Sequence, residues 1–354
     1  MKLAVALITA AIVLAPIAGH AFKGPELYPG EQKLYQAAKQ EGIVVSFDTG
    51  PTWANWAKEF SAFEKRYPGV QLVYNDLGSS VTVVDLEKAR HRPQADTAYY
   101  FAASGVDAMK NGVVAPFKPV NFDKLPQPFR AADGQWFTVH KLVIAFIVNK
   151  KLVKDVPHSW ADLLKPEYKN SIDYLDPRTT GVGQVMVIAA AYANGGAVDH
   201  VQPGIDYLGK LQKTGNVLRI EGTTPYAKFV KGEIPIWISY ENDGLKAKYI
   251  DGMGKDVAVV IPKEASVAAP YAMSLVKNAP HPDAAKLWLN FVMSSEGQAI
   301  FAAGFVRPAV PGVTLSPEVA AKLPPAPQVR PLDVIKAAAQ EEKIDQGWAK
   351  AVLR

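Results

Sequence analysis

The chain has 354 residues, 49% hydrophobic and 21% charged, which is more than one ordinary core and suits two soluble globular domains. Its formal charge of +5 is spread without a long basic block, which argues against nucleic acid as a partner. No cysteine is present, so disulfides, thiolate catalysis and Cys-ligated metal are excluded.

Residues 1–21 are of a different kind. Lys2 opens them, Leu3 to Ala18 is almost wholly apolar, and Gly19-His20-Ala21 closes them with small residues, the pattern of a secretory signal peptide. The apolar run contains Pro16 and falls short of the roughly 20 residues that span a bilayer, so a membrane anchor fits less well. A periplasmic location is expected, for a protein resting on its core without disulfides.

In chain order, Gly30 to Gln40 reads as a short helix closed by Gly42, and Ile43 to Phe47 as a buried strand. After the turn Asp48-Thr49-Gly50-Pro51-Thr52, the aromatics Trp53, Trp56, Phe60, Phe63 and Tyr67 recur at steps of three and four, the stripe of a core-facing helix. Trp53 alone, in the first turn beside the loop, is placed to face a ligand. Val70 to Tyr74, the polar loop Asn75 to Ser80 and the helix Val81 to Arg90 repeat the unit. Asp96 to Phe101 is a third strand, and Ser104 is expected to cap the helix after it. Strands alternating with helices indicate a largely parallel sheet, with binding loops at the strand C-termini.

Pro116 to Trp136 reads as proline-rich surface wrapping, and Leu142 to Val148 as an apolar strand that first crosses between lobes. Ser159 and Asp162 form a capping-box-like pair for a helix from Trp160 to Leu164. The strand Ile172 to Leu175 then leads through a polar loop into a small-residue helix, Val182 to Asn194, and a further helix covers Gln202 to Lys213. Val217 to Ile220 is a strand followed by Gly222-Thr223-Thr224-Pro225, with the proline at or near N1 of the next helix. Pro235 to Tyr240 is another strand, with Tyr240-Glu241-Asn242-Asp243-Gly244 as its outgoing loop. Val257 to Ile261 and Tyr271 to Val276 are apolar strands, the second returning the chain to the first lobe. Asp283 to Met293 and three further helical stretches complete the chain.

The loop Asp176-Pro177-Arg178-Thr179-Thr180-Gly181 carries the chemistry most open to reading. A strand–loop–helix unit leaves free backbone N–H groups at a helix N-terminus, and with the Thr179 and Thr180 hydroxyls these suit a carboxylate or phosphate oxygen. Simple N-capping would need only one of the hydroxyls. Ser79 and Ser80 are balanced between the same two roles. Arg178 fits a surface or hinge ion pair better than an anion contact, and Glu241 and Asp243 either meet an amine or cap a helix starting near Asn242. The chain has no Gly-x-Ser-x-Gly, His-Glu-x-x-His or P-loop, and its six histidines lack ligand spacing. Neither catalytic residues, a metal nor a cofactor is therefore expected, and a secreted hydrolase with a nonlocal triad is the more distant alternative.

The segment Pro157-His158-Ser159-Trp160-Ala161-Asp162-Leu163-Leu164-Lys165-Pro166-Glu167-Tyr168-Lys169, running on to Gly181, resembles the second-domain entry of extracellular solute-binding proteins. Gly232-Glu233-Ile234-Pro235-Ile236, the Pro270 to Val276 strand and Ala279-Pro280-His281-Pro282-Asp283 agree with it. Within that superfamily the chain is similar to the branch serving ABC importers for ferric ion, polyamines, thiamine, phosphonates and phosphorylated sugars. The resemblance implies a type II periplasmic binding protein: two α/β lobes on a two-strand hinge, closing over a small molecule. It places lobe one at residues 22–141 and 277–354, lobe two at 142–276, and an inner-membrane ABC importer permease as partner of a monomeric protein.

Carried over residue by residue, the resemblance implies ligand contacts at Thr49, Trp53, Gly78, Ser79 and Ser80 on one side. On the other it implies Thr179, Thr180, Gly181, Thr223, Thr224, Tyr240, Glu241, Asp243 and Tyr271. The ferric branch has adjacent tyrosines near the Tyr240 position. Here Ser239-Tyr240-Glu241-Asn242 stands there, and the pair Tyr99-Tyr100 lies in a strand whose alternate side chains face opposite ways. Hydroxyl-rich loops at helix N-termini favour an anionic or zwitterionic solute, a phosphonate, phosphate ester or carboxylate, over iron, thiamine or a polyamine.

Overall fold

The computed structural model describes residues 24–324 and 329–353. The expected signal peptide, residues 1–21, lies outside them.

Helix α1 (Glu31–Glu41) is closed by Gly42, whose φ of 74° lets its N–H reach the Ala38 carbonyl. Strand β1 (Ile43–Phe47) follows. Helix α2 (Trp56–Arg66) begins at Trp56 and not at Trp53, because Ala54 and Asn55 take positive φ and break the helix ahead of it. Trp56, Phe60 and Phe63 stay on the buried stripe, while Trp53 is released from it.

Strand β2 (Gln71–Tyr74), helix α3 (Ser79–Lys88), strand β3 (Thr97–Phe101) and helix α4 (Ala102–Lys110) repeat the unit. Ser104 does not cap α4. The helix has already started at Ala102, and the Ser104 hydroxyl donates to Glu341 Oε1 at 3.1 Å. After β4 (Val114–Ala115), strand β5 (Phe137–Asn149) is longer than the apolar run, since Thr138 and His140 are buried with it. The Ser159–Asp162 pair makes its bonds, Asp162 N–H to Ser159 Oγ at 2.9 Å and His158 N–H to Asp162 Oδ2 at 3.0 Å. It opens only a 3₁₀ turn, Asp162–Leu164, because Pro166 holds Lys165 extended.

Strand β6 (Ile172–Leu175), helices α5 (Gly181–Ala193) and α6 (Gln202–Lys213), strand β7 (Val217–Glu221), helix α7 (Tyr226–Val230) and strand β8 (Ile236–Tyr240) come next. Helix α8 (Glu241–Tyr249) starts directly after β8, so Glu241 to Gly244 is a first helical turn and not an outgoing loop. Its acidic residues complement the helix dipole. The chain continues through β9 (Val257–Val260), β10 (Ser266–Val276), α9 (Pro282–Met293), α10 (Ser295–Ala303), β11 (Arg307–Pro308), α11 (Pro317–Ala320), β12 (Val329–Pro331), α12 (Val334–Ala338) and α13 (Glu341–Val352).

The strands join in the order β2-β1-β3-β10-β5-β8-β6-β7. β2, β1 and β3 are parallel, as are β7, β6 and β8, and β10 and β5 run antiparallel between the two sets. β5 serves both: Phe137 to Val143 pairs with β10, and Ile144 to Val148 pairs with β8. α12 packs on α4 beside the first set, whereas α13 packs on α6 and α5 beside the second.

Candidate functional site

A cavity opens among the loops that leave the C-terminal ends of the parallel strands. Asp48 follows β1, Asp76 to Ser79 link β2 to α3, and Thr180 to Val182 open α5. Thr223 and Thr224 follow β7, and Ser239, Tyr240, Asn242 and Asp243 come from the β8–α8 junction. Trp53, Tyr99, Trp237, Leu142 and Tyr271 supply apolar wall.

Two helix N-termini meet here. A Cβ on Gly78 would lie 2.0 Å from the Thr179 carbonyl oxygen, and one on Gly181 would lie 2.7 Å from Tyr271 Oη and 3.0 Å from Ser79 Oγ. The absence of side chains lets the two loops approach. Among the described residues nothing accepts from the backbone N–H groups of the lining residues Ser79 in α3 and Gly181 and Val182 in α5. These donors sit at the positive ends of two helices. The hydroxyls nearby are already engaged. Ser79 Oγ accepts from the Phe101 N–H at 2.9 Å, and Thr180 Oγ1 donates to the Asp176 carbonyl at 2.8 Å while accepting from the Gly183 N–H at 3.2 Å. Thr180 is thus the N-cap of α5. Thr180→Ala is expected to lower unfolding stability by about 1 kcal/mol, measured by denaturant titration; an unchanged midpoint would remove that role.

Three carboxylates face the same space, and among the described residues no Lys, Arg or His lines it. Burial, with Asp76 beside it, holds Asp48 well above the usual carboxylate range, and desolvation raises Asp76 as well. Burial pushes Asp243 up to about 6, against the donors that oppose the shift: Ser239 Oγ at 2.8 Å and Asn242 Nδ2 at 3.1 Å. Asp48 is met by the Ser79 hydroxyl and the Leu77 N–H, Asp76 by the Thr223 hydroxyl at 3.4 Å, and the Lys246 charge acts on Asp243; with no cation in the lining, buried carboxylates still favour an incoming one. Beside them, Tyr240 and Tyr271 share a hydroxyl contact at 3.0 Å, and Tyr99 stacks on Tyr271 with ring centroids 5.2 Å apart. Burial drives all three phenols up, so they stay neutral hydrogen-bonding groups. His140, bonded through Nε2 to the Tyr99 hydroxyl at 3.1 Å, is pushed down to about 3 by burial and is neutral.

Of the residues expected at the site, Trp53, Gly78, Ser79, Thr180, Gly181, Thr223, Thr224, Tyr240, Asp243 and Tyr271 line the cavity. Thr49, Ser80, Thr179 and Glu241 do not. Thr49 is buried, donating to the Ser46 carbonyl at 3.2 Å, and Thr179 contributes its carbonyl to the Gly78 contact. Glu241 is buried in a bidentate pair with Arg307 at 2.6 and 3.1 Å. Arg178 pairs with Asp176 and lies over the Trp348 ring at 5.2 Å. Asp48 and Asp76 were not anticipated, although each directly or shortly follows a parallel strand, where binding loops fall. Tyr99 and Trp237 are strand residues without a sequence signal of their own.

Two parallel strand sets joined through antiparallel β10 and β5, with a cavity among their loops, define a type II periplasmic binding fold. AfuA, the periplasmic binding protein of Actinobacillus pleuropneumoniae with exogenous fructose-6-phosphate bound, superposes with a TM-score of 0.74 at 22% identity, covering 88% of this chain and 99% of its own. A periplasmic thiamin binding protein gives 0.73 at 19% identity, covering 88% and 96%. A model of the bacterial extracellular solute-binding protein family matches residues 98–339. A periplasmic protein of Salmonella typhimurium, provisionally named for binding 2-aminoethylphosphonate, is 30% identical over 248 residues, 68% of this chain and 69% of its own length. The chain belongs to the bacterial extracellular solute-binding protein family. Among the described residues no helix is long and apolar enough to cross a membrane.

Proposed function

We propose that this protein captures a small zwitterion: an acidic head, phosphonate, phosphate ester or carboxylate, on the N-termini of α3 and α5, and an ammonium group beside Asp243, Asp48 and Asp76. The observation that carries this reading is the pairing of free helix N–H donors with carboxylates in one cavity whose lining has no basic side chain. A simple polyanion would meet those carboxylates without a counter-charge. The 2-aminoethylphosphonate of the Salmonella relative's name carries both groups. Polyamines and thiamine would satisfy the carboxylates and aromatic walls and leave the helix donors unused, and ferric ion would need phenolates that burial disfavours.

In this reading residues 1–21 direct export to the periplasm and are removed. The chain works as a monomer, hands its solute to an inner-membrane permease and performs no turnover. Its lobes are residues 22–141 with 277–354 and residues 142–276, apart from helix α13, which packs on α5 and α6 beside the second strand set, and they are hinged where β5 and β10 pass between the sets. A solute at 100 times its Kd stabilises the folded form by about 2.7 kcal/mol. A thermal-shift panel of 2-aminoethylphosphonate, ethylphosphonate, a sugar phosphate, putrescine, thiamine and ferric citrate is expected to give the largest shift with the aminophosphonate. A shift from putrescine or ferric ion alone, or hydrolysis of an ester panel, would overturn the reading.

A further inference from the structure

The loop that brings Thr180 and Gly181 to the cavity is gripped from outside by the C-terminal helix. Gln184 of α5 uses its amide nitrogen twice, donating to the Pro177 carbonyl at 2.8 Å and to Asp345 Oδ1 of α13 at 2.7 Å. Three residues on, Trp348 is fully buried, meets the Tyr174 ring edge-on at 6.4 Å and lies beneath the Arg178 guanidinium at 5.2 Å. Tyr174 and Arg178 flank the Asp176-Pro177 turn, so α13 touches the side chains at both ends of the turn directly and its backbone through Gln184. The first residue of α13, Glu341, accepts from Ser104 of α4, beside the other strand set. The region matching the family model ends at residue 339, before α13 begins.

We propose that Asp345 and Trp348 are positioning residues for solute capture, holding Pro177 and Arg178 so that the Gly181 and Val182 N–H groups stay aimed into the cavity. Neither residue lines the cavity. The inference rests on the reading of this loop as the seat of the acidic head. Backbone donors serve an anion only when held within about 0.5 Å and 10–20° of their productive geometry. The segment between β6 and α5 keeps one bond to the sheet, the Asp176 N–H to the Glu221 carbonyl at 2.9 Å, and none beyond it. The Asp345–Gln184–Pro177 chain and the flat face of Trp348 supply that restraint, and the Ser104–Glu341 bond extends it across to α4.

The test combines hydrogen exchange of the solute-free protein with affinity for 2-aminoethylphosphonate, in Asp345→Ala, Gln184→Ala, the double variant and Asp345→Asn. The expected result is about tenfold faster exchange at the Thr179 to Gly183 amides and about tenfold weaker binding in Asp345→Ala, with the double variant no worse than Gln184→Ala. Asp345→Asn keeps an acceptor oxygen and is expected to restore both readouts. A lower melting temperature in Asp345→Ala with unchanged loop exchange would make α13 a plain scaffold and overturn the inference. Additive effects in the double variant would overturn it as well. Exchange is read without solute, so failure of the wild-type protein to bind any phosphonate would sink the solute reading, while loop exchange alone decides the positioning role.

Discussion

Gly78→Ala is expected to weaken solute binding by about ten- to a hundredfold, the factor that corresponds to an overpacking cost of roughly 1–3 kcal/mol. Gly78 has φ −108° and ψ 159°, an extended conformation open to any residue, so the substitution brings no backbone strain. The conflict is with one atom, the Thr179 carbonyl oxygen, 2.0 Å from the added carbon. That oxygen belongs to backbone and cannot turn aside as a flexible side chain would. Gly78 precedes α3 and Thr179 precedes α5, so the penalty falls on the arrangement in which both helix N-termini approach one solute. Separated loops would not feel it. Isothermal titration calorimetry measures the loss, and Gly222→Ala, where nothing lies within 4 Å, is the neutral control. Wild-type affinity in Gly78→Ala would show that capture does not need the two loops in contact.

Asp243→Asn is expected to have opposite effects on the empty and the loaded protein. In the empty fold Asp243 titrates at about 6, against roughly 3.9 for a free aspartate. Between those values the folded state holds more protons than the unfolded one, so this group's contribution is most favourable at low pH and declines as pH rises through about 4 to 6. At pH 7 the ionised, buried carboxylate therefore costs the empty protein up to about 3 kcal/mol, a cost that Asn does not carry. The variant should melt higher than wild type at pH 7 and equally at pH 4. An ammonium-bearing solute needs the ionised carboxylate, so wild-type affinity should fall about tenfold from pH 7 to pH 5 beyond any change seen in Asp243→Asn. At pH 7 the variant should bind ten to a hundred times more weakly, the scale of a lost hydrogen bond to a charged group of roughly 1.5–3 kcal/mol. Calorimetry at the two pH values reads both effects, with the solute's own titration common to both proteins. Equal pH dependence in the two proteins would remove the ammonium from Asp243.

Much of the architecture is legible locally. Glycine closing α1, the apolar run of β1 and the three- and four-residue steps of Trp56, Phe60 and Phe63 act over a few residues and need no distant partner to be read. The strand–loop–helix rhythm likewise points to Gly78, Ser79, Thr180 and Gly181, since helix N-termini after parallel strands are where donors stay unpaired. What local pattern cannot carry is the partner of each polar group. Glu241 looks as available as Asp243 in sequence, yet Arg307, 66 residues on, occupies it and leaves Asp243 facing the cavity. Thr180 spends its hydroxyl on its own helix, and two positive-φ residues free Trp53 from the aromatic stripe.

The sequence by itself determined the class of protein: the βα rhythm, the three hydroxyl-bearing loops and the family-like segments are local properties of the chain. Only the tertiary structure decided the character of the cleft, because the charge of a cavity is a sum over residues far apart in sequence. Asp48, Asp76 and Asp243 come to face one cavity only when β1, β2 and β8 end at the same place, and α13 reaches the loop before α5 only by packing across from the far end of the chain.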